Sequence, residues 1–200
     1  MLIHKLRVTC GKTALRIRSF GDPVLRKKAQ AVGKITQAQR DILGEMARLM
    51  YASSGVGLAA PQVGKSIRLF VIDGEPVADD EPDLASFKKV FINAHIVEKT
   101  GDLVPMNEGC LSIPNIREEV KRESHIRIKY FDENWTEFDE VYDGYKARII
   151  QHEYDHLDGK LFVEKVNPLK RQLLKGKLAD ISKGKFDADY KTLVYTPRKR

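Results

Sequence analysis

Two hundred residues, 42% hydrophobic and 32% charged, suffice for one globular domain with a real core and are too few for two full-sized ones. No run approaches the roughly eighteen apolar residues of a membrane span, the hydrophobic content excludes wholesale disorder, and two cysteines, Cys10 and Cys110, build no disulfide framework and fit a reducing compartment. The net charge of +7 suggests a nucleic-acid partner, but residues 1–30 carry eight Lys/Arg against one acid, residues 165–200 eleven against three, and residues 31–164 sixteen against 24, so the body is acidic and only the ends are basic.

Residues 1–14 hold Lys5, Arg7 and Lys12 and no acid. Charges interrupt their apolar run, which argues against a secretory signal. The segment reads as a basic extension without fixed structure, an organellar transit segment being the other reading. Asp22-Pro23 marks a turn. Thr36-Gln37-Ala38-Gln39 is a capping-box pattern, and Ile42, Leu43, Met46, Leu49 and Met50 follow at helical spacing. A helix over 37–52 is expected, stopping before Gly55-Val56-Gly57.

Residues 66–73 are short and β-rich, so a strand is expected there. Residues 74–86, with Asp79, Asp80, Glu81, Asp83 and two prolines, read as a solvated acidic loop. Residues 90–92 and 96–97 suggest another strand. Residues 125–131 alternate apolar and basic side chains, the pattern of a half-buried strand, and 132–135 turn it into 138–142 as a hairpin. A second helix is expected over 145–157, ended by Gly159. A third follows Pro168, over 169–182, and carries Lys170, Arg171, Lys175 and Lys177. This order favours an α+β fold: mostly antiparallel β-sheets packed around a central helix, with an N-terminal and a C-terminal helix. Three parts are expected, a basic extension (1–14), a catalytic domain (15–166) and a basic helix and tail (167–200).

His152-Glu153-Tyr154-Asp155-His156 is the pattern His-Glu-x-x-His. Residues four apart share a helix face, so both imidazoles can reach one metal ion. Glu153 lies about 100° around the helix and can exchange a proton with a metal-bound water without being a ligand. Ile149, His152, Glu153 and His156 form one stripe and Ala147, Ile150, Tyr154 and Leu157 an apolar second, so the helix is expected to be buried on much of its surface. Burying three ionisable groups is costly unless something pairs them, and a metal does so.

A catalytic site of zinc type takes three protein ligands and keeps one position open. Gly159 fits the metzincin pattern, but Phe162 stands where its third histidine belongs. Glu164 is the only glutamate after His156 and lies close behind the helix, while His4, His95 and His125 each sit alone. Cys110, in Asn107-Glu108-Gly109-Cys110-Leu111-Ser112-Ile113-Pro114, is the best third candidate, although a lone cysteine is often just a small buried hydrophobe.

Three segments, residues 55–62 (GVGLAAPQ), 108–112 (EGCLS) and 151–156 (QHEYDH), resemble in order and spacing the three motifs of peptide deformylase, and the similarity extends from about residue 17 to 166. The resemblance implies removal of the formyl group from the N-terminal formylmethionine of new polypeptides, releasing formate by metal-bound hydroxide attack. It implies Cys110, His152 and His156 as metal ligands, Glu153 as acid and base, and Gln62 with the backbone N–H of Leu111 as oxyanion donors. It places the substrate backbone at Gly57, and it implies Fe²⁺ in cells with Zn²⁺ or Ni²⁺ as substitutes. Val56, Leu58, Tyr145 and Ile149 are candidates for a methionine pocket, with plain core packing as the equal alternative. Arg117 is a candidate for meeting substrate carbonyls, and Glu108 with Arg122 for supporting the ligands from behind. A cytoplasmic, bacterial-type enzyme without membrane contact is expected, with organellar targeting by the extension left open. Nascent formyl-Met polypeptides are the expected partners, and the basic C-terminal segment is a candidate dock for ribosomal RNA phosphate. A zinc endopeptidase on the same helix, and a basic nucleic-acid-binding protein with a structural metal, remain the alternatives.

Overall fold

The computed structural model describes residues 15–197. The basic extension, with His4 and Cys10, lies outside the described residues. Strand β1 (Ile17–Arg18) leads through a 3-10 turn (Pro23–Arg26) to helix α1 (Gln37–Ala52). Strands β2 (Gly57–Ala59), β3 (Leu69–Asp73), β4 (Lys88–Cys110), β5 (Ile113–Phe131) and β6 (Glu137–Asp143) form one antiparallel sheet in that order. Helix α2 (Gly144–Leu157) follows, then α3 (Pro168–Ser182), and β7 (Thr192–Leu193) returns to pair in parallel with β1. The expected α+β architecture is the observed one.

Helix α1 begins where Gln39 Oε1 accepts the Thr36 N–H at 2.7 Å. It buries Leu43, Met46, Leu49 and Met50 against β2 and β3. Helix α2 packs on β2, β3, β5 and β6. Its Ala147, Ile150 and Leu157 are fully buried among Phe70, Phe91 and Ile128. Gly159, at φ +69°, ends it in the left-handed region, and a Cβ there would stand 2.5 Å from the Arg26 carbonyl oxygen, so both conformation and space require glycine.

The sheet differs from the sequence expectation in one large respect. Strands were expected at 90–92, 96–97 and 125–131, but β4 and β5 run 23 and 19 residues and pair along almost their whole length. Register shifts after Ile92, Ile96, Thr100 and Gly109 bend this ribbon, so it has no single inward face for a period of two to reveal. Residues 74–86 are not wholly solvated either, because two 3-10 turns (Glu75–Val77 and Pro82–Leu84) tuck Leu84 into the core.

Candidate active site

The end of β4, the turn after it and one face of α2 converge. Cys110 comes from β4, His152 and His156 from α2, and their ligand atoms all lie within 4.8 Å of one another. Cys110 Sγ is 3.3 Å from His156 Nε2, and the two imidazoles stand edge to face, 5.3 Å apart. His152 Nδ1 is 2.9 Å from Glu108 Oε2, which fixes the ring and leaves Nε2 for a metal. One thiolate and two imidazoles, held by two rigid elements, suit a first-row divalent metal. Glu153 Oε2, on the same helix, is buried without a protein partner, which leaves it an acceptor for a group from outside the chain. The residues therefore fit a metal ion.

Behind the ligands lies a buried ion network. Glu108 accepts from Arg122 Nε and Nη2 at 2.6 and 2.8 Å and from Arg148 Nη1 at 2.8 Å. Arg122 Nη1 donates to Asp155 Oδ2 at 2.6 Å. All four residues are buried. Burial alone would raise the Glu108 carboxyl, but hydrogen bonds from Arg122 and His152, with their charges, hold it well below the usual carboxylate range. Glu108 is thus a permanent acceptor for the His152 ring.

Glu153 behaves oppositely. Burial pushes its carboxyl up to about 7, and the charges of His152 and Arg122 only partly oppose that. A carboxyl titrating near neutrality can both take and return a proton. Its Oε1 stands 2.5 Å from where a Cβ on Gly57 would sit, so glycine is required there for the strand backbone to pass the carboxylate. Gln62, in the 3-10 turn Ala60–Val63, is buried and aimed. Its Oε1 accepts the Ala59 N–H at 2.8 Å, while Nε2 points at Cys110 Sγ (3.4 Å) and Ser112 Oγ (3.3 Å).

The site opens into a cleft of about 550 Å³. Val56, Gly57, Arg117, Tyr145 and Ile149 line it, as do Leu111 and Glu153. Leu58 does not. It is fully buried against α1, since neighbouring residues of a strand face opposite sides and Gly57 takes the side of the cleft. Arg122 lies behind the cleft wall. Glu164 pairs with Arg26 at the surface, and His95 and His125 are exposed on β4 and β5, so none of these three joins the cluster.

The sequence reading missed Arg148, Asp155 and Ser112. A signal existed for the first two, because Arg148 precedes His152 by one helical turn and Asp155 follows it within one, and ionisable groups on a buried helix need partners. It also missed the C-terminal wall, where residues 187–190 line the cleft. Nothing in their sequence marks them.

The family model for polypeptide deformylase matches residues 14–172. Among curated relatives, the peptide deformylase of Christiangramia forsetii is 50% identical over 184 residues, covering 88% of this chain and 94% of that protein. That of Flavobacterium psychrophilum is 44% identical over 193 residues, covering 93% and 99%. The solved peptide deformylase of Synechococcus elongatus, in complex with actinonin, superposes with TM-score 0.74 at 37% identity and covers 92% of this chain and 96% of that one. The Thermotoga maritima enzyme superposes with TM-score 0.70 at 40% identity, covering 77% and 98%. A helix bearing two histidines and a glutamate, a cysteine brought to it by a long strand, and this breadth of likeness agree on one conclusion, that the chain belongs to the peptide deformylase family, metal-dependent hydrolases that take the formyl group from the N-terminal methionine of polypeptides.

Proposed function

We propose that Cys110, His152 and His156 hold one divalent ion, Fe²⁺ in cells with Zn²⁺ or Ni²⁺ as substitutes, and that Glu153 is the acid and base of deformylation. The observation that carries this reading is the convergence of three donor atoms within 4.8 Å beside a carboxyl poised near 7. When bound, the ion supplies Lewis acidity that polarises a carbonyl and acidifies water. Glu153 accepts the proton of the attacking water and returns it to the leaving amine nitrogen. Gln62 Nε2 and the Leu111 N–H donate to the oxygen that gains charge at the formyl carbon. Held before the reaction begins, such donors need no reorganisation, and losing one costs about 10²–10³ in kcat.

Strand β2 is one of the two edge strands of the sheet, which suits main-chain pairing with an extended peptide at Gly57. Val56, Tyr145 and Ile149 form the apolar side for methionine, and Arg117 meets substrate carbonyls. Glu108 and Arg122 hold His152 in orientation. The part 15–166 carries the catalytic groups, and residues 187–190 complete a wall of its cleft; the basic residues of α3, Lys170, Arg171, Lys175 and Lys177, dock on ribosomal RNA phosphate, placing the enzyme in the cytoplasm where formylated chains emerge. No described helix is long and apolar enough to cross a membrane. An endopeptidase would need a ligand from beyond α2, and Glu164 is engaged by Arg26 instead.

The test is formate release from a formyl-Met peptide by anaerobically prepared, metal-loaded protein. Formate release is expected, and cleavage of internal peptide bonds without it would sink the reading. Glu153→Ala should keep the metal and lose about 10²–10⁴ of turnover; loss of the ion in that variant would remove Glu153 from this role. Ribosome co-sedimentation of the full-length chain carrying Arg171→Glu, Lys175→Glu and Lys177→Glu should fall, and undiminished binding would retire the docking surface.

A further inference from the structure

The turn that presents Cys110 and Leu111 is held from outside the sheet by both ends of the described chain. Leu111 and Ser112 connect β4 to β5, and neither has positive φ, so the connection is not one of the primed turns that continue a hairpin's twist and ladder. Its two carbonyls find partners elsewhere. Ser112 O accepts the Phe20 N–H at 2.7 Å, and Leu111 O accepts the Tyr190 hydroxyl at 2.8 Å.

The residues carrying Tyr190 form a strap with several anchors of its own. Asn115 Nδ2 donates to Asp187 O at 2.9 Å. Ile17 N–H donates to Lys191 O at 2.9 Å and Ser19 N–H to Leu193 O at 3.1 Å, the bonds that seat β7 beside β1. Tyr190 is half-buried, with its ring in the apolar cluster that also takes Leu111. Residues 187–190 line the cleft directly. The whole strap lies beyond residue 172, where the match to the family model stops.

We infer that Tyr190 is a positioning residue for deformylation, whose hydroxyl, brought in by the C-terminal strap, fixes Leu111 for its part in the oxyanion site. This rests on the role proposed above for the Leu111 N–H. The physical reason is that an oxyanion donor works only if its direction is set in advance. A short turn with both carbonyls outside the ladder has little of its own to set it. One hydrogen bond on the Leu111 carbonyl removes rotation of the peptide that follows and damps rotation of the one before.

The test is Tyr190→Phe in the full-length, metal-loaded chain, because phenylalanine keeps the ring packing and removes only the hydroxyl. We expect kcat to fall about threefold to tenfold with KM unchanged, the range that loss of one hydrogen bond gives. Faster amide hydrogen exchange across residues 110–113 is expected with it, at unaltered metal content. If exchange and kcat both stay as they were, Tyr190 does not hold the turn and the inference is wrong. Faster exchange with kcat unaltered would show a turn that is held but carries no reacting donor, which overturns the inference through the role of Leu111. A raised KM at constant kcat would reduce the strap to a wall of the cleft and also overturn it. Failure of the unmodified chain to release formate is a separate result that strikes the proposed function itself.

Discussion

Strand β5 carries the same contact twice, five residues apart. Arg122 grips Glu108 through Nε and Nη2 at 2.6 and 2.8 Å, and Arg127 grips Asp139 through the same two nitrogens at 2.8 and 2.7 Å. The fork geometry is alike; the surroundings are not. The first pair is 1% and 5% exposed at its side chains and the second 49% and 35%. In water, solvent and salt take over whatever the partner gave. In the interior nothing replaces a lost partner, so each member is held for good. A second difference is connectivity. Arg122 also holds Asp155, and Glu108 also holds Arg148 and the ring of His152, so the buried pair transmits order to a residue of the Cys110–His152–His156 cluster, whereas among the described residues Asp139 adds only Lys129. Burial turns a common surface contact into part of the catalytic frame.

The comparison can be broken most sharply at Arg122. Arg122→Ala takes the shared guanidinium from two buried carboxylates, leaving Glu108 with Arg148 and His152 and Asp155 with Lys165 at 3.7 Å, and a loss of about 3 kcal/mol is expected by denaturant melting, with metal content falling in step. A loss no greater than that of a surface variant would show that water reaches the network. Next comes Glu153, the buried acid with no such cation hydrogen-bonded to it. Its ordinary value of 4.5 rises to about 7 in the fold. Between those values the folded, metal-free chain binds a proton that the unfolded chain has released. The stability linked to that proton is therefore full below pH 4.5 and is lost as pH rises through 7. Relative to wild type, metal-free Glu153→Gln should match it in slope below pH 4.5 and gain about 3 kcal/mol by pH 8; parallel stability curves across that range would show that Glu153 is not desolvated.

A smaller effect is expected at Glu108→Gln, which keeps the shape and removes the charge behind His152. Metal affinity should drop about 10- to 100-fold, measured by competition with a chelator. Unaltered affinity would mean that His152 is oriented by its helix alone. Smallest is Arg127→Ala, for which no shift in the denaturant midpoint is expected. A clear shift there would erase the contrast between the two pairs.

The same contrast explains how far the sequence could be read. The helices were legible because their signals are local: a cap at Thr36 with Gln39, the apolar spacing from Leu43 to Met50, and a glycine at 159 that the geometry cannot replace. The histidine face of α2 was legible because its donor side chains sit one turn apart. Residues 98–124 were not, since a strand pattern assumes that what faces inward is apolar, and here Glu108 and Arg122 face inward toward each other. Local rules fail where the site has replaced an oily interior with an ionic one. Leu58 illustrates a simpler limit: next to Gly57 in sequence, it belongs to the opposite side of the strand and to the core.

Strand β2 has a consequence beyond the cleft it borders. An uncovered sheet edge is a template for any extended chain, including a neighbouring copy of the same protein, and long bare edges promote aggregation. This edge is three residues long, too short to nucleate a growing intermolecular sheet. Yet a few main-chain groups are enough to grip the first residues of a peptide, and main-chain groups are common to every protein. Under the proposed substrate pairing, such contacts would extend recognition to any sequence, while so short an edge offers little to a second copy; the other edge strand, β6, is seven residues long and is blunted by Glu137, Asp139, Glu140 and Asp143.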